Sequence, residues 1–144
     1  MRRIALVLLA ALAGAGAVEA RDIVPSERRI LPWDGGIPGC GDTSVLANIT
    51  AAFASREDKF WNEGLRLVGY ENIRPLAWRP EGLDVIPRRY CTAVATVNDG
   101  RKRRVDYQVR EDLGLAGFGW GVTWCVHGLD RHWANAPACR MERP

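Results

Sequence analysis

The sequence predicts an α+β domain in which one N-terminal helix packs on a curved antiparallel sheet of about four strands. An apolar stripe of helical period runs from about Thr43 to Glu63, and segments of period two follow Gly64. Asp99-Gly100 stands between two of these segments as a strong hairpin signal. A helix followed by a run of antiparallel strands is typical of the α+β class, because the helix covers one face of the sheet.

The first 20 residues have the organisation of a secretory signal peptide. The 144-residue chain opens with Met1-Arg2-Arg3, continues with an apolar run from Ile4 to about Ala13, and reaches the small-x-small pattern Val18-Glu19-Ala20. The apolar run is shorter than the roughly 20 residues that a membrane span requires. We therefore expect residues 1–20 to be removed on export, with Ala15-Gly16-Ala17 as an alternative cleavage site. The mature chain would be periplasmic or secreted and would have no transmembrane segment.

Residues 21–39 are rich in proline and glycine and show no apolar period, which predicts an extended lead-in. No internal repeat or second domain follows. Residues 40–144 are therefore expected to form a single disulfide-bonded domain.

The helix is predicted from about Thr43 to Glu63. Asp42 or Thr43 can cap its first turn, and Gly64 stands where a C-terminal glycine belongs. Arg56 falls within the apolar stripe, so either the helix overhangs the core at this point or Arg56 points into a polar pocket. The stripe itself consists of Val45, Leu46, Ile49, Ala52, Phe53 and Phe60.

Four strands are predicted after Gly64. A turn at Arg79–Gly82 separates the first from the second, and a glycine-rich connection at Gly114–Gly119 precedes the last. The predicted strands are Leu65–Tyr70 with its continuation Ile73–Trp78, Arg89–Val97, Lys102–Arg110 and Trp120–Val126. The order of these elements looks like the cystatin or NTF2-like arrangement, a likeness that implies no function.

The hairpin sequence also predicts a register. If Asp99-Gly100 is a two-residue loop, Val94 lies opposite Val105, and Tyr90 lies opposite Val109. Thr92 then shares their face, and Arg104, Asp106 and Gln108 share the other.

The even number of cysteines in an exported chain predicts two disulfides, for which three pairings exist. A four-thiolate metal site is disfavoured because zinc ligands come in close pairs, whereas these cysteines are 51, 34 and 14 residues apart. Cys125 and Cys139 would close a short loop, which leaves Cys40 to pair with Cys91. A Cys91–Cys125 bond would have to cross two strand spacings, about 9.6 Å, which is too far.

The sequence offers few reactive groups. We find no nucleophile motif, phosphate loop, metal motif or cofactor motif. The net charge falls from +3 to +2 when the leader is removed, which is only mildly basic. A nucleic-acid partner is not expected. His127, Asp130 and His132 resemble an acid/base or metal cluster, but their spacing matches no metal motif. The basic run Arg101, Lys102, Arg103 and Arg104 can either grip an anionic glycolipid or keep a strand edge soluble.

Several motifs in order resemble a family of small, uncharacterised exported proteins of alphaproteobacteria. The resemblance covers residues 40–144, implies an envelope location and matches the four cysteines, but it brings no activity or ligand. Its motifs are Cys40-Gly-Asp-Thr-Ser-Val-Leu, Ile86-Pro-Arg-Arg-Tyr-Cys91, Trp120-Gly-Val-Thr-Trp-Cys125, Gly128-Leu-Asp-Arg131 and Ala136-Pro-Ala-Cys139.

The leading hypothesis is a non-enzymatic periplasmic domain that binds a protein or an envelope component. One alternative is a small acid/base enzyme or ligand-pocket protein, with Arg56 or the His127–His132 loop at its site. The other is electrostatic binding of anionic glycolipid through Arg101–Arg104.

Overall fold

The computed structural model describes residues 36–79, 86–111 and 119–144. The expected signal peptide, the lead-in before Gly36, the turn after Arg79 and the glycine-rich connection before Gly119 lie outside these ranges. No helix within them is long and apolar enough to cross a membrane.

Helix α1 spans Thr43–Arg56 and begins as predicted. The Asp42 carboxylate accepts a hydrogen bond from the backbone N–H of Ser44 at 2.8 Å, which satisfies one of the unpaired donors of the first turn. A single π-helical turn, Glu57–Trp61, continues the helix, and Asn62 ends it in the left-handed conformation (φ 54°). The helix therefore stops two residues before the predicted end.

The predicted apolar face of α1 is correct at Val45, Ile49 and Phe53 and wrong at Ala52, which is exposed, and at Phe60 in the last turn. Val45, Ile49 and Phe53 are buried, whereas Phe60 is 66% exposed. The π turn contains more residues than an α turn, so it rotates the residues that follow it relative to the stripe. The buried side chain in this turn is Glu57.

A four-stranded antiparallel sheet follows α1 in the order β1-β2-β3-β4. This confirms the α+β class. The face of the sheet towards α1, here called the inner face, carries the core residues Val105, Tyr107 and Val109. The strands are Leu67–Arg79, Arg88–Val97, Lys102–Arg110 and Gly121–Val126.

The predicted register of the β2–β3 hairpin is wrong by one residue. Ala93, not Val94, lies opposite Val105, and Thr92 lies opposite Asp106. The loop has three residues, not two, because the N–H of Val97 donates to the carbonyl of Arg101 (2.9 Å).

Gly100 completes this loop at φ 79°, a left-handed conformation that glycine adopts without a steric penalty. The extra loop residue turns the odd-numbered residues of β2 inward, so the buried face of β2 is built from Cys91 and small alanines. The predicted face of β3 is correct.

Both predicted disulfides are present. Cys40 is joined to Cys91 with a Cα–Cα distance of 5.7 Å, and Cys125 is joined to Cys139 at 5.5 Å. Two such bonds are typical of an oxidising environment outside the cytoplasm.

The second bridge holds the tail that follows β4. This tail contains two short 3-10 segments, Arg131–Trp133 and Pro137–Glu142, and it crosses the outer face of the sheet. The side chain of Glu142 there contacts Gln108 of β3 and Thr123 of β4.

Candidate functional site: the open edge of strand β4

Strand β4 forms one edge of the sheet, and half of its backbone groups point away from β3. The N–H of His127, just after β4, donates to a β3 carbonyl at 2.9 Å. Because backbone groups alternate in direction along a strand, Val122, Trp124 and Val126 direct theirs to the open edge. The Val126 carbonyl accepts from the N–H of Leu129 (3.0 Å), and the other outward groups have no backbone partner in the described ranges.

The two edges of the sheet differ in how they are protected. Strand β1 contains Pro75 and three register shifts in its pairing with β2, features that discourage a further strand from pairing. Strand β4 pairs with β3 without a register shift, and its sequence Gly121-Val-Thr-Trp-Cys-Val126 contains neither proline nor a charged residue. Of the two edges, β4 is the one suited to strand addition.

A cleft of about 390 Å³ borders the C-terminal half of β4. Its walls include Phe60 and Trp61 from the π turn, Trp124 from β4, and Leu129 from the tail. The guanidinium of Arg56 lies 4.3 Å from the centre of the Trp124 ring, a cation–π distance. The predicted misfit Arg56 is therefore an exposed side chain that overhangs the core at the rim of a cleft.

Arg131 closes the far side of this cleft and forms two ion pairs. It lies 3.1 Å from the Glu57 carboxylate and 2.6 Å from that of Glu63, and its guanidinium stacks over Trp61 at 4.7 Å. Asp130 in the same wall accepts hydrogen bonds from the backbone and side-chain amides of Asn135, at 3.2 Å each. This end of the cleft therefore offers apolar surface and no unpaired cation.

A second cleft of about 390 Å³ borders the N-terminal half of β4 and shares Arg56, Trp124 and Asn135 with the first. We call the two together the β4 groove. Its distinctive members are Arg88 and Arg110, which form no ion pair within 4 Å in the part of the chain described. The Arg110 Nε is buried and also has no hydrogen-bond partner there.

Glu142 is the acidic residue of the second cleft. Burial raises its pKa, and hydrogen bonds from Thr123 (2.8 Å) and Gln108 (3.0 Å) oppose that rise only in part. The positive charge of Arg110 also opposes the rise in the pKa of this carboxylate. The cleft thus holds three arginines against one buried carboxylate.

A separate polar cluster lies on the outer face beside the groove. The fully buried Asp106 accepts hydrogen bonds from Thr92, Arg104 and Arg143 at 2.7 Å each, and it lies 2.8 Å from the His127 ring. Burial acts to raise the pKa of Asp106, but these hydrogen bonds outweigh it and lower the pKa to about 2. The carboxylate is enclosed by its partners, so this cluster fixes the tail to the sheet.

The basic run at the hairpin tip is largely neutralised. Arg101 alone of the four forms no ion pair within 4 Å among the described residues. The other three are paired with acidic residues: Lys102 with Glu71 (2.6 Å), Arg103 with Asp99 (3.1 Å) and Arg104 with Asp106 (2.7 Å). The structure thus separates Arg56, in the groove, from the hairpin residues.

The histidine loop does not form one cluster. His127 contacts Asp106, Asp130 contacts Asn135, and the side chain of His132 lies outside the described residues. Asp130 does lie near Cys125 and Cys139, with ligand atoms within 4.8 Å of one another, but both sulfurs are held in the disulfide.

Comparison with known proteins finds no match to a protein family, to a curated protein or to a solved structure.

Sequence reasoning missed Arg88, Arg110, Gln108 and Glu142. The first two lie on adjacent strands 22 residues apart, and only the register Arg88 opposite Arg110 brings them together. An outward pair of arginines near the end of a predicted hairpin was the available signal, and it required the correct register.

Proposed function

We propose that the protein is an exported, non-enzymatic binding domain, periplasmic or secreted, that holds an extended segment of a protein partner along strand β4. The observation that carries this proposal is the β4 edge, which pairs with no further strand among the described residues and whose partly exposed half, Gly121–Thr123, borders the β4 groove. Strand addition to a free sheet edge is a common mode of peptide recognition.

The geometry provides both affinity and selectivity. An added strand would pair with the N–H and C=O of Val122 and Trp124, and each such bond contributes about 1 kcal/mol net. Val126 is buried (2% exposed), so the pairing would not extend to it. Its side chains would alternate between the inner part of the groove, near Phe60 and Trp124, and the outer part, near Arg110.

The acidic side chains around the groove favour a binding role over a catalytic one, because each of them is held by contacts that stabilise the fold. Asp130 holds Asn135, Glu142 holds Gln108 and Thr123, and Asp106 is enclosed by four partners.

The export part of the proposal is supported by the signal-peptide pattern of residues 1–20, by two disulfides, and by the resemblance to exported alphaproteobacterial proteins. The same proposal includes a cystatin- or NTF2-like arrangement, for which the element order is the support.

Replacement of Val122 by proline tests the docking edge. Proline removes an N–H that points to the open edge and leaves the ladder to β3 intact, so the fold should persist. Proteins that are cross-linked to the wild type in cell envelopes should not be recovered with Val122→Pro. The matched control, Val122→Thr, keeps the N–H and a similar shape and should recover the same proteins. Equal recovery with a well-folded Val122→Pro variant would contradict docking at β4.

A further inference from the structure

We infer that the segment bound at β4 is acidic, with carboxylates on the side chains that face Arg88 and Arg110. This inference rests on the proposed function and adds the chemical class of the partner. It is argued from the charges of the groove, from the register of β3 and β4, and from the difference between the two ends of the groove.

Among the described residues, no carboxylate forms an ion pair with the three arginines of the groove. Half of the other lysines and arginines in the described ranges are ion-paired, namely Arg66, Lys102, Arg103, Arg104, Arg131 and Arg143. Of the described residues that line the second cleft, Glu142 is the one carboxylate beside Arg56, Arg88 and Arg110, and it lies more than 4 Å from each. Three guanidinium groups around one groove favour an anionic ligand, and guanidinium matches a carboxylate in shape as well as in charge.

The register of the sheet leaves Arg110 accessible from the edge. Arg110 pairs with Gly121, the first residue of β4, on the outer face. Because Gly121 has no side chain, nothing from β4 stands between the Arg110 guanidinium and a strand added beyond it. Arg88, opposite Arg110 on β2, adds a second positive charge to the same face.

The two ends of the groove differ in chemistry. The end near Gly121 has the arginines, whereas the end near Val126 has Phe60, Trp61 and Leu129 and the ion-paired Arg131. An added strand with carboxylates on its outer side and apolar residues on its inner side satisfies both. Alternating acidic and apolar residues are therefore the pattern that this edge selects.

Two synthetic peptides test the inference against the processed protein with both disulfides intact. The acidic probe is acetyl-Thr-Glu-Val-Glu-Val-Glu-Thr-amide, and its neutral partner has glutamine in place of each glutamate. We expect the acidic peptide to bind about tenfold more tightly at low salt, the factor given by two partly exposed ion pairs, and we expect the difference to shrink in 0.5 M salt. Fluorescence anisotropy of labelled peptides measures the affinity of each peptide at both salt concentrations.

Variants of the protein assign the preference to the groove. Arg110→Gln should reduce binding of the acidic peptide about threefold and leave binding of the neutral peptide unaffected. Arg88→Gln should reduce it less, because β2 lies one strand spacing further from the added strand than β3 does. Arg140→Gln is the matched control, because Arg140 is an exposed tail residue outside both clefts. This variant should change the affinity of neither peptide. Circular dichroism and urea unfolding check that each variant folds.

The outcomes separate the inference from the proposed function. Equal binding of the two peptides, abolished by Val122→Pro, would overturn the acidic preference and keep strand addition. Binding of neither peptide, or self-association of the protein seen by sedimentation in place of peptide binding, would overturn strand addition of a partner. Binding of N-acetylglutamate amide as tightly as the acidic peptide would show a small-anion pocket instead and would also overturn it.

Discussion

Replacement of Asp106 by asparagine should be among the most destabilising single changes outside the apolar core. The side chain is fully buried, and the hydrogen bonds from Thr92, Arg104 and Arg143 are each 2.7 Å long. Asparagine has nearly the same shape, but it removes the charge and one acceptor. Two arginines would then face a neutral amide next to His127.

The magnitude follows from the pKa. The folded protein lowers the pKa of Asp106 from 3.8 to about 2, and each unit corresponds to about 1.4 kcal/mol. The ionised carboxylate therefore stabilises the fold by about 2 kcal/mol at pH 7. Removal of one partner from a buried charged network costs about 3–5 kcal/mol, because it also leaves charges uncompensated. We expect Asp106→Asn to lower the free energy of unfolding by about 2–4 kcal/mol.

The sign of the pH dependence is fixed by the direction of the shift. Because the folded pKa is lower than the unfolded pKa, the stabilisation is complete above about pH 4 and disappears as the pH falls through about 2. Urea unfolding, followed by tryptophan fluorescence at several pH values, gives the free energy of unfolding for both proteins. The difference between wild type and Asp106→Asn should narrow across this interval.

Asp58→Asn is the control. Asp58 also lies within 2.5 Å of an arginine, Arg66, but both side chains are exposed, so its loss should cost less than about 1 kcal/mol at any pH. A difference between Asp106→Asn and wild type below 0.5 kcal/mol at pH 7, or one that does not change between pH 5 and 2, would refute the reasoning.

Two further predictions concern the tail and the bridges. Glu142→Gln keeps an acceptor for Thr123 and removes a carboxylate whose pKa is raised in the folded protein. The wild type should therefore lose stability relative to this variant as the pH rises above about 4.5. Urea unfolding from pH 4 to 7 measures the difference, and a difference of the opposite sign would contradict the buried position of Glu142. Replacement of both Cys125 and Cys139 by alanine should cost about 3 kcal/mol and replacement of both Cys40 and Cys91 about 4 kcal/mol, because the Cys40–Cys91 bridge closes the longer loop. Thermal unfolding gives the order of the two variants, and the reverse order would count against the loop-entropy explanation.

The features that the sequence predicts well are those encoded by neighbouring residues or by simple geometry. The capping residue Asp42, strand β3 and the two disulfide pairings all follow from local pattern or from the distance between strands. The α+β class follows from the order of the elements.

The two wrong predictions, the register of the β2–β3 hairpin and the burial of Phe60, share a physical origin, which is the number of residues in one turn. A loop of three residues instead of two moves Val94 from the inner face to the outer face of β2. A π turn instead of an α turn moves Phe60 from the core to the surface. Neither change has a clear signature in composition, because both turns contain residues that the shorter alternative also accepts.

The candidate site was less predictable because it depends on these same counts. Arg56 was recognised as a misfit from helical period alone. Its companions Arg88 and Arg110 meet only in the observed register, and the enclosure of Asp106 depends on how the tail returns across the sheet. Tail residues such as Arg143 have no periodic pattern from which this return could be read.

The proposed addition of a strand at β4 would require little reorganisation of the tail beside it. The Cys125–Cys139 bridge and the Arg143–Asp106 contact fix both the start and the end of the segment that borders the β4 groove. Between them, the Met141 N–H donates to the Asn135 carbonyl at 3.1 Å, which holds the groove wall in one conformation. A preformed wall reduces the entropy that binding must spend on ordering the protein, so more of the strand-pairing energy remains as affinity. Under the proposed function, the contacts that stabilise the outer face would therefore also favour binding at the β4 edge.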